Sequence, residues 1–430
     1  MKFFTRYSIL FLFIAAINYA DCYLYAQKVA LVLSGGGAKG VTHIGVIKAL
    51  EDNDIPIDYI AGTSMGAIIG GLYAAGYSPG QMEEILKSEE FKTWIAGKID
   101  PQYIYFYKQP YPDASWFAFR FKVDSVFQSR LPTNIVSPES MDFAFLELFA
   151  GASAVAKYDF DSLMVPFRCV AANIQDNRPM VLRKGDLGKS IRASMTFPFY
   201  FKPVRIDDKL LFDGGMYNNF PSDVALNDFN PDIIIGVKAS ADQKPPTEDD
   251  VTSQLQTMLM EHQNYDVICD NSILIEPKLK QVNVIDFKNT GAFIDSGYVA
   301  ALRKIPEIRM FVLDSVTKEQ RALQRAAFNA QKPPYLIRNY KITGLSRGQY
   351  KYATSILRRE QRKDKSRGIH VQGDSLQQIK AEYFRLISEE NLTHAFPTLI
   401  YDEKLGGYVM GIDAKHENRL IAHFGGNITS

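Results

Sequence analysis

The 430-residue chain holds only three cysteines, six histidines and two tryptophans, and its 49 basic and 48 acidic residues leave a net charge of +1. So even a balance gives no global reason to expect a nucleic-acid partner. Three cysteines do not make a disulfide framework. With Cys22 lost alongside an N-terminal leader, Cys169 and Cys269 either pair in an oxidising compartment or stay as buried thiols, and their spacing does not choose between the two. Beyond the first two dozen residues no unbroken apolar run approaches the length of about 20 that a helix needs to cross a bilayer, so no helical anchor is expected there. At 46% apolar and 23% charged residues the chain reads as globular, with room for two or three domains.

The first residues set a compartment. MKFFTR is a short basic lead, YSILFLFIAAINYA an apolar run, and Ala26 a small residue suited to cleavage; residues 1–26 therefore read as an export signal peptide. Asp21 interrupts the run too early for a membrane span, and its place just before Cys22 excludes lipidation.

Next comes KVALVLSGGGAKG, an apolar strand ending in glycines, then VTHIGVIKALEDN as a helix, NDIPID as a break, DYIAG as a second strand and GTSMGAIIGGLYAAG as a small-residue helix. Strand, helix, strand, helix is the unit of a parallel sheet with helices on its faces. Further strands are expected at PFRCVAANI, DIIIGVKAS and NSILIEP. These place an α/β domain over residues 27–330, closed by the helix TKEQRALQRAAFNAQK and bounded by KPP. Residues 335–415 read as a small α+β module: YLIRNYKITGL as a strand, QYKYATSILRRE as a helix, SLQQIKAEYFRLIS as a second helix capped by Asp374 and Ser375, and TLIYDEKLGGYVMGIDAK as a hairpin. Its basic linker RREQRKDKSR is either a solvated loop or a binding patch.

GTSMG satisfies GxSxG, a pattern that sets a serine on a sharp strand-to-helix turn. Side chains at Gly62 and Gly66 would crowd such a turn, so Ser64 is pushed into the open at a helix N-terminus that favours developing negative charge. SGGGAKG supplies the complement, because successive glycines let backbone N–H groups approach an oxyanion. Gly35, Gly36 and Gly37 are the candidate donors. Gly35, Gly37 and Gly40 also satisfy the GxGxxG dinucleotide fingerprint, but that motif needs an acidic residue ending the second strand, and Gly62 and Thr63 stand there. No histidine has the context of a triad member: His43 lies one turn into the first helix, His262 in a polar helical stretch, and His370, His394, His416 and His423 in the C-terminal part. Asp213, ending the apolar LLFD before two glycines, is placed either as a turn residue or as a base. As a base it would need a dry site to raise its proton affinity.

Taken in order, GGGAKG with VTHIGVIKALE, GTSMG, RASMTFPFYFKP and DGGMYNNFP resemble the patatin-like phospholipase family, over about residues 28–240. The resemblance implies a three-layer α/β/α fold with a mainly parallel central sheet. It also implies lipid acyl hydrolysis through an acyl-enzyme, with no metal or other cofactor. By motif, Ser64 takes the nucleophile position, Asp213 the base position and Gly35, Gly36 and Gly37 the oxyanion loop. Lys39 matches the loop's basic residue and either attracts an anionic head group or braces the loop. Gly40, Gly62, Gly66, Gly214, Gly215 and Asn218 are expected to support the site, with Asn219, Arg192 and Pro198 beside it.

The aromatic set Phe197, Phe199, Tyr200 and Phe201 is expected to narrow an acyl pocket, and the stretch 103–121 is either a lid or packed strand. The C-terminal module resembles a POTRA-type module of the kind that precedes a β-barrel in outer-membrane proteins, with 416–430 starting a barrel. The partners this implies are a phospholipid substrate, a membrane surface and an outer-membrane protein, in the periplasm or at the cell surface. A catalytically silent binding or assembly module is the alternative.

Overall fold

The structure, a computed structural model, describes residues 27–103, 115–122, 135–239, 254, 265–279, 286–358, 373–388, 392–416 and 419–425, with backbone alone for 115–122, 392–394 and 415–425. The leader, the basic linker beyond residue 358, His262 and His370, and most of the aromatic stretch 103–121 lie outside the described side chains.

The larger sheet contains β1 (Val29–Leu33), β2 (Tyr59–Thr63), β4 (Phe167–Asn173), β5 (Arg178–Leu182), β6 (Val204–Ile206), β7 (Lys209–Asp213), β8 (Ile233–Val237) and β9 (Ser272–Ile275). Its strand order is β6-β7-β4-β2-β1-β8-β9, with β5 also on β4. The run β4-β2-β1-β8-β9 is parallel, as the strand–helix alternation predicts. The other end is not: β5 and β7 pair antiparallel with β4, and β6 with β7. The sheet is therefore mixed, which corrects the mainly parallel expectation at this end. Connection length explains the pairs β4–β5 and β6–β7, since parallel neighbours need a crossover of a dozen residues or so and short turns give only hairpins. β6 and β7 are joined by Asp207 and Asp208 alone, both at positive φ (47° and 60°), as a two-residue type I′ turn requires.

Both faces of the sheet are covered. Along β1, Val29, Leu31 and Leu33 enter one core while Ala30 and Val32 enter another, the period of two expected of a strand buried on both sides. The first face carries α1 (Thr42–Asp52), α2 (Met65–Ala74) and α8 (Thr290–Phe311); the second carries α7 (Ser222–Phe229). α1 and α8 cross closely because Gly45 and Gly297 have no side chains. A Cβ on Gly45 would lie 1.9 Å from the Ile294 carbonyl oxygen and one on Gly297 2.0 Å from that of Thr42.

The C-terminal residues form a second sheet of β11 (Asp374–Ser375), β10 (Leu336–Thr343), β13 (Gly407–His416) and β12 (Leu392–Asp402), in that order, with α10 (Arg347–Leu357) and α11 (Leu376–Ile387). Ser375 caps α11 through a reciprocal capping box with Gln378. Asp374 does not share that duty. It accepts a hydrogen bond from the Tyr340 hydroxyl at 2.5 Å, tying β11 to β10. The last strand, β14 (Arg419–Gly425), pairs antiparallel with β3 (Ser115–Lys122) as a separate ribbon.

α5 (Glu139–Val155) joins the two parts. Met141, Phe145 and Phe149 belong to the core of the large sheet, whereas Phe143, Leu146 and Ala150 belong to that of the C-terminal module. Phe143 packs its ring 5.0 Å from that of Tyr383. Between the two stripes, Asp142 receives the Arg192 Nε at 2.7 Å, with both side chains 1% exposed. Burial pushes the Asp142 carboxyl up to about 6, against the opposing pull of Arg192. Arg192, from α6 (Leu187–Ser194), also donates to Thr196 Oγ1 at 2.6 Å and stacks over Phe201.

Removing one partner of such a pair leaves a bare charge in the interior, so Asp142→Ala should lower unfolding free energy by about 3–5 kcal/mol. Replacing Asp142 and Arg192 together with leucine and methionine should recover most of that loss. Urea unfolding of the two variants measures both effects.

Candidate active site

Ser64 sits between β2 and α2 at φ 54° and ψ −119°, a conformation uncommon for a residue with a side chain. The glycines around it make the turn possible. A Cβ on Gly62 would stand 2.5 Å from the Gly66 carbonyl oxygen, and one on Gly66 2.2 Å from that of Leu33. A side chain at either position would meet backbone.

Asp213 reaches this turn through the pairing of β4. β5 occupies one edge of β4 over Cys169–Asn173, so the opposite edge must hold both β2 and β7. On that edge Thr63 faces Val170 and Asp213 faces Ala171, so the ends of β2 and β7 meet. Residues 149 positions apart become neighbours, and Ser64 Oγ donates to Asp213 Oδ2 at 2.7 Å. The other carboxylate oxygen, Oδ1, accepts from the Gly215 amide at 2.8 Å. Gly214 must lack a side chain, since a Cβ there would fall 2.2 Å from the Val170 carbonyl oxygen.

Asp213 is 5% exposed, and burial pushes its carboxyl up to about 6, although the bonds from Ser64 and Gly215 pull the other way. A carboxylate of raised proton affinity bonded to one hydroxyl is a base poised near neutrality.

The glycine loop lies against the same serine: a Cβ on Gly35 would come 3.2 Å from Ser64 Cβ and 2.2 Å from Asn219 Oδ1. Its three amides are not equivalent. Gly35 N–H donates to the Asn219 carbonyl at 3.0 Å, which removes it from the expected set of oxyanion donors. Those of Gly36 and Gly37 meet no protein acceptor among the described residues. The amide of Ser64 is taken too, by Ser194 Oγ at 3.0 Å, and that hydroxyl in turn donates to the Val170 carbonyl. Gly40 fits against α2, where a Cβ would strike Met65.

Asn218 holds the loop after Asp213. Its carbonyl accepts from Thr63 Oγ1 at 2.9 Å and its amide side chain donates to Asp223 at 2.8 Å. Lys39 makes no ion pair among the described residues, and partial burial lowers its ammonium from the ordinary lysine value. A brace on the loop comes from His43. Fully buried, its ring Nε2 lies 2.8 Å from the Ser34 carbonyl oxygen at the entrance of the loop, and desolvation pushes its pKa down to about 4. It is a neutral strut and makes no bond to Ser64. The sequence shows His43 one turn into the first helix, and that place close behind the glycines is its only sign of this contact. Pro198 is buried within the turn that follows α6. Both Cys169 and Cys269 are free thiols, and burial raises that of Cys169 well above its usual range.

A hollow opens onto Ser64, Asp213 and Gly37, and the rest of its wall is apolar or aromatic. Phe91 and Ile95 come from α4 (Glu89–Ile95), Met141 from α5, and Phe197, Tyr200 and Phe201 from the turn after α6. Phe199 does not join them. It stands at φ 66° with 51% of its surface exposed, contrary to the expected role in narrowing the pocket.

Residues 31–226, just under half of the chain, match the model of the family described as patatin-like phospholipase. Among curated proteins, the mouse "Patatin-like phospholipase domain-containing protein 6" is 32% identical over 207 residues, which are 47% of this chain and 13% of that protein. "Lysophospholipase NTE1" of Cryptococcus neoformans is 28% identical over 225 residues, 52% of this chain and 12% of its own length. The chain therefore matches only a small part of these longer relatives. Among solved structures, VipD from Legionella pneumophila overlaps 84% of this chain and 83% of its own at 12% identity, with a TM-score of 0.35. Family model and curated relatives together support the patatin-like phospholipase family for this α/β region.

Proposed function

We propose that the chain is a serine lipid acyl hydrolase working through a Ser64–Asp213 dyad. The observation that carries this reading is the 2.7 Å hydrogen bond from Ser64 Oγ to a buried carboxylate at the mouth of an apolar hollow. As Ser64 Oγ attacks an ester carbonyl, its proton passes to Asp213 Oδ2, and the negative charge on the carbonyl oxygen is taken up by the Gly36 and Gly37 amides. Collapse of the intermediate forms the acyl-enzyme, and the departing alkoxide takes the proton from Asp213. A water molecule then attacks the acyl carbonyl, Asp213 receives its proton, and the fatty acid leaves as Ser64 is reprotonated. The aromatic and methionine-rich wall suits an acyl chain, because burying apolar surface stabilises binding without requiring polar partners. Lys39, cationic and without an ion-pair partner among the described residues, suits an anionic head group.

Export and an outer-membrane setting are part of the same proposal. They are supported by the leader-like residues 1–26 and by the strand–helix–helix–hairpin order of residues 336–416. POTRA-type docking to an outer-membrane partner and a following barrel strand rest on that element order alone. Fractionation of cells producing the full chain would overturn this part if the protein stayed with the cytosol.

A fluorophosphonate probe should label the parent protein and fail to label Ser64→Ala, and hydrolysis of a fluorogenic ester should fall about 1,000-fold or more in either Ser64→Ala or Asp213→Asn. A folded parent left unlabelled would favour the silent binding module instead. The rate should rise with pH through about 6 as Asp213 loses its proton and becomes competent as a base. Stability should run the opposite way. Folding raises the proton affinity of Asp213, so its favourable contribution is complete below about pH 4 and is lost as pH rises through about 6. Asp213→Asn has no charge to bury and should therefore exceed the parent by about 1–2 kcal/mol at neutral pH and match it in acid. Thermal unfolding across that pH range reads the crossover.

A further inference from the structure

At the turn after α6, three of four aromatic side chains face inward and one does not. Phe197 and Tyr200, with ring centroids 6.0 Å apart, line the hollow at Ser64 together with Phe201, whose ring also meets Arg192. Phe199, between them in sequence, adopts φ 66° and leaves 51% of its surface in water. A bulky aromatic residue in the left-handed region is a strained arrangement, and strain of this kind is kept where the outward side chain has a use.

The neighbouring bend at Ile135 and Val136 adds a second apolar group. Ile135 N–H donates to the Phe199 carbonyl at 2.8 Å and Val136 N–H to that of Tyr200 at 3.0 Å, which fixes Ile135, 77% exposed, beside Phe199. The turn at Gly97 abuts the same segment, since a Cβ there would lie 2.6 Å from Val136 and 2.7 Å from the Ser137 amide nitrogen. Lys98, exposed, follows Gly97 directly in this turn.

We propose that Ile135 and Phe199 form an anchor that inserts into a lipid surface and sets the mouth of the hollow against it. The proposal rests on the hydrolase reading for its occupant. A lipid chain must leave a bilayer to reach Ser64, and Phe199 shares its turn with Phe197 and Tyr200 of the wall it would pass, with Ile135 bonded to the Phe199 carbonyl. Two large apolar side chains next to a cation are also what an interface of acyl chains and phosphate groups accommodates: the isoleucine and the phenyl ring enter the hydrocarbon boundary while the ammonium stays with the head groups.

The test uses the full chain carrying Ser64→Ala, so that binding is read without hydrolysis, and vesicles of phosphatidylcholine doped with phosphatidylglycerol in a co-sedimentation assay. Ile135→Ser combined with Phe199→Asn should lower the partition coefficient by about tenfold or more. Asparagine tolerates positive φ, so the turn is retained. Phe199→Trp should hold or increase partitioning, as expected of an interfacial aromatic and not of a damaged fold. Unchanged partitioning in the double variant overturns the proposal, as does a parent that does not bind vesicles. Sedimentation velocity supplies a further outcome: a dimer abolished by the same substitutions would assign the surface to a second copy of this chain and overturn the lipid anchor. Fluorophosphonate labelling of the unsubstituted protein tests the hydrolase reading separately, so the two can fail independently.

Discussion

The pairing of two strands along a single edge of β4 is the constraint on which the site depends. β2 runs parallel to β4 and stops at Thr63 opposite Val170; β7 runs antiparallel and stops at Asp213 opposite Ala171. Two strands travelling in opposite senses thus end one residue apart on the same partner. A slip of one residue in either register would turn the terminal side chain to the other face of the sheet and separate hydroxyl from carboxylate. The mixed sheet is therefore required for the site: a parallel strand in the place of β7 would begin where β7 ends.

That arrangement lets a carboxylate bond the Ser64 hydroxyl directly. Direct bonding needs close approach, which strand register provides, and a carboxyl of raised proton affinity, which burial at 5% exposure provides. The hydrogen bonds from Ser64 and Gly215 hold the anion in place without cancelling the effect of desolvation. The surroundings are fixed in the same way. Gly35 is fastened to Asn219, Ser64 to Ser194, and Ser34 to His43, so the loop is tied at two points and the serine at one, each to a different buried residue.

Parts of this were legible in the sequence because their signals are local. GTSMG after an apolar strand, glycines after β1 and a strand ending in Asp213 before two glycines all follow from short-range backbone needs, and the side chains would clash where the glycines stand. What escaped depends on tertiary pairing. Nothing in SGGGAKG distinguishes Gly35, whose amide is occupied, from Gly36 and Gly37, because the distinction comes from Asn219 across the sheet. Phe199 and Tyr200 are nearly alike in composition and opposite in direction, which a positive φ decides. The antiparallel end of the sheet did leave a trace in the Asp207–Asp208 turn between two apolar stretches. Asp374 and Ser375 look like equivalent caps until Tyr340 claims the first.

α5 serves two cores with alternate stripes of one helix, and this bears on how the molecule divides. Residues 27–330 differ in texture from the C-terminal hundred, which suggests a cut near residue 331. Such a truncation would strip Phe143, Leu146 and Ala150 of their cover and leave a greasy flank on the helix that also furnishes Met141 to the hollow over Ser64. The unit that keeps both stripes covered is thus larger than the α/β region that holds Ser64 and Asp213.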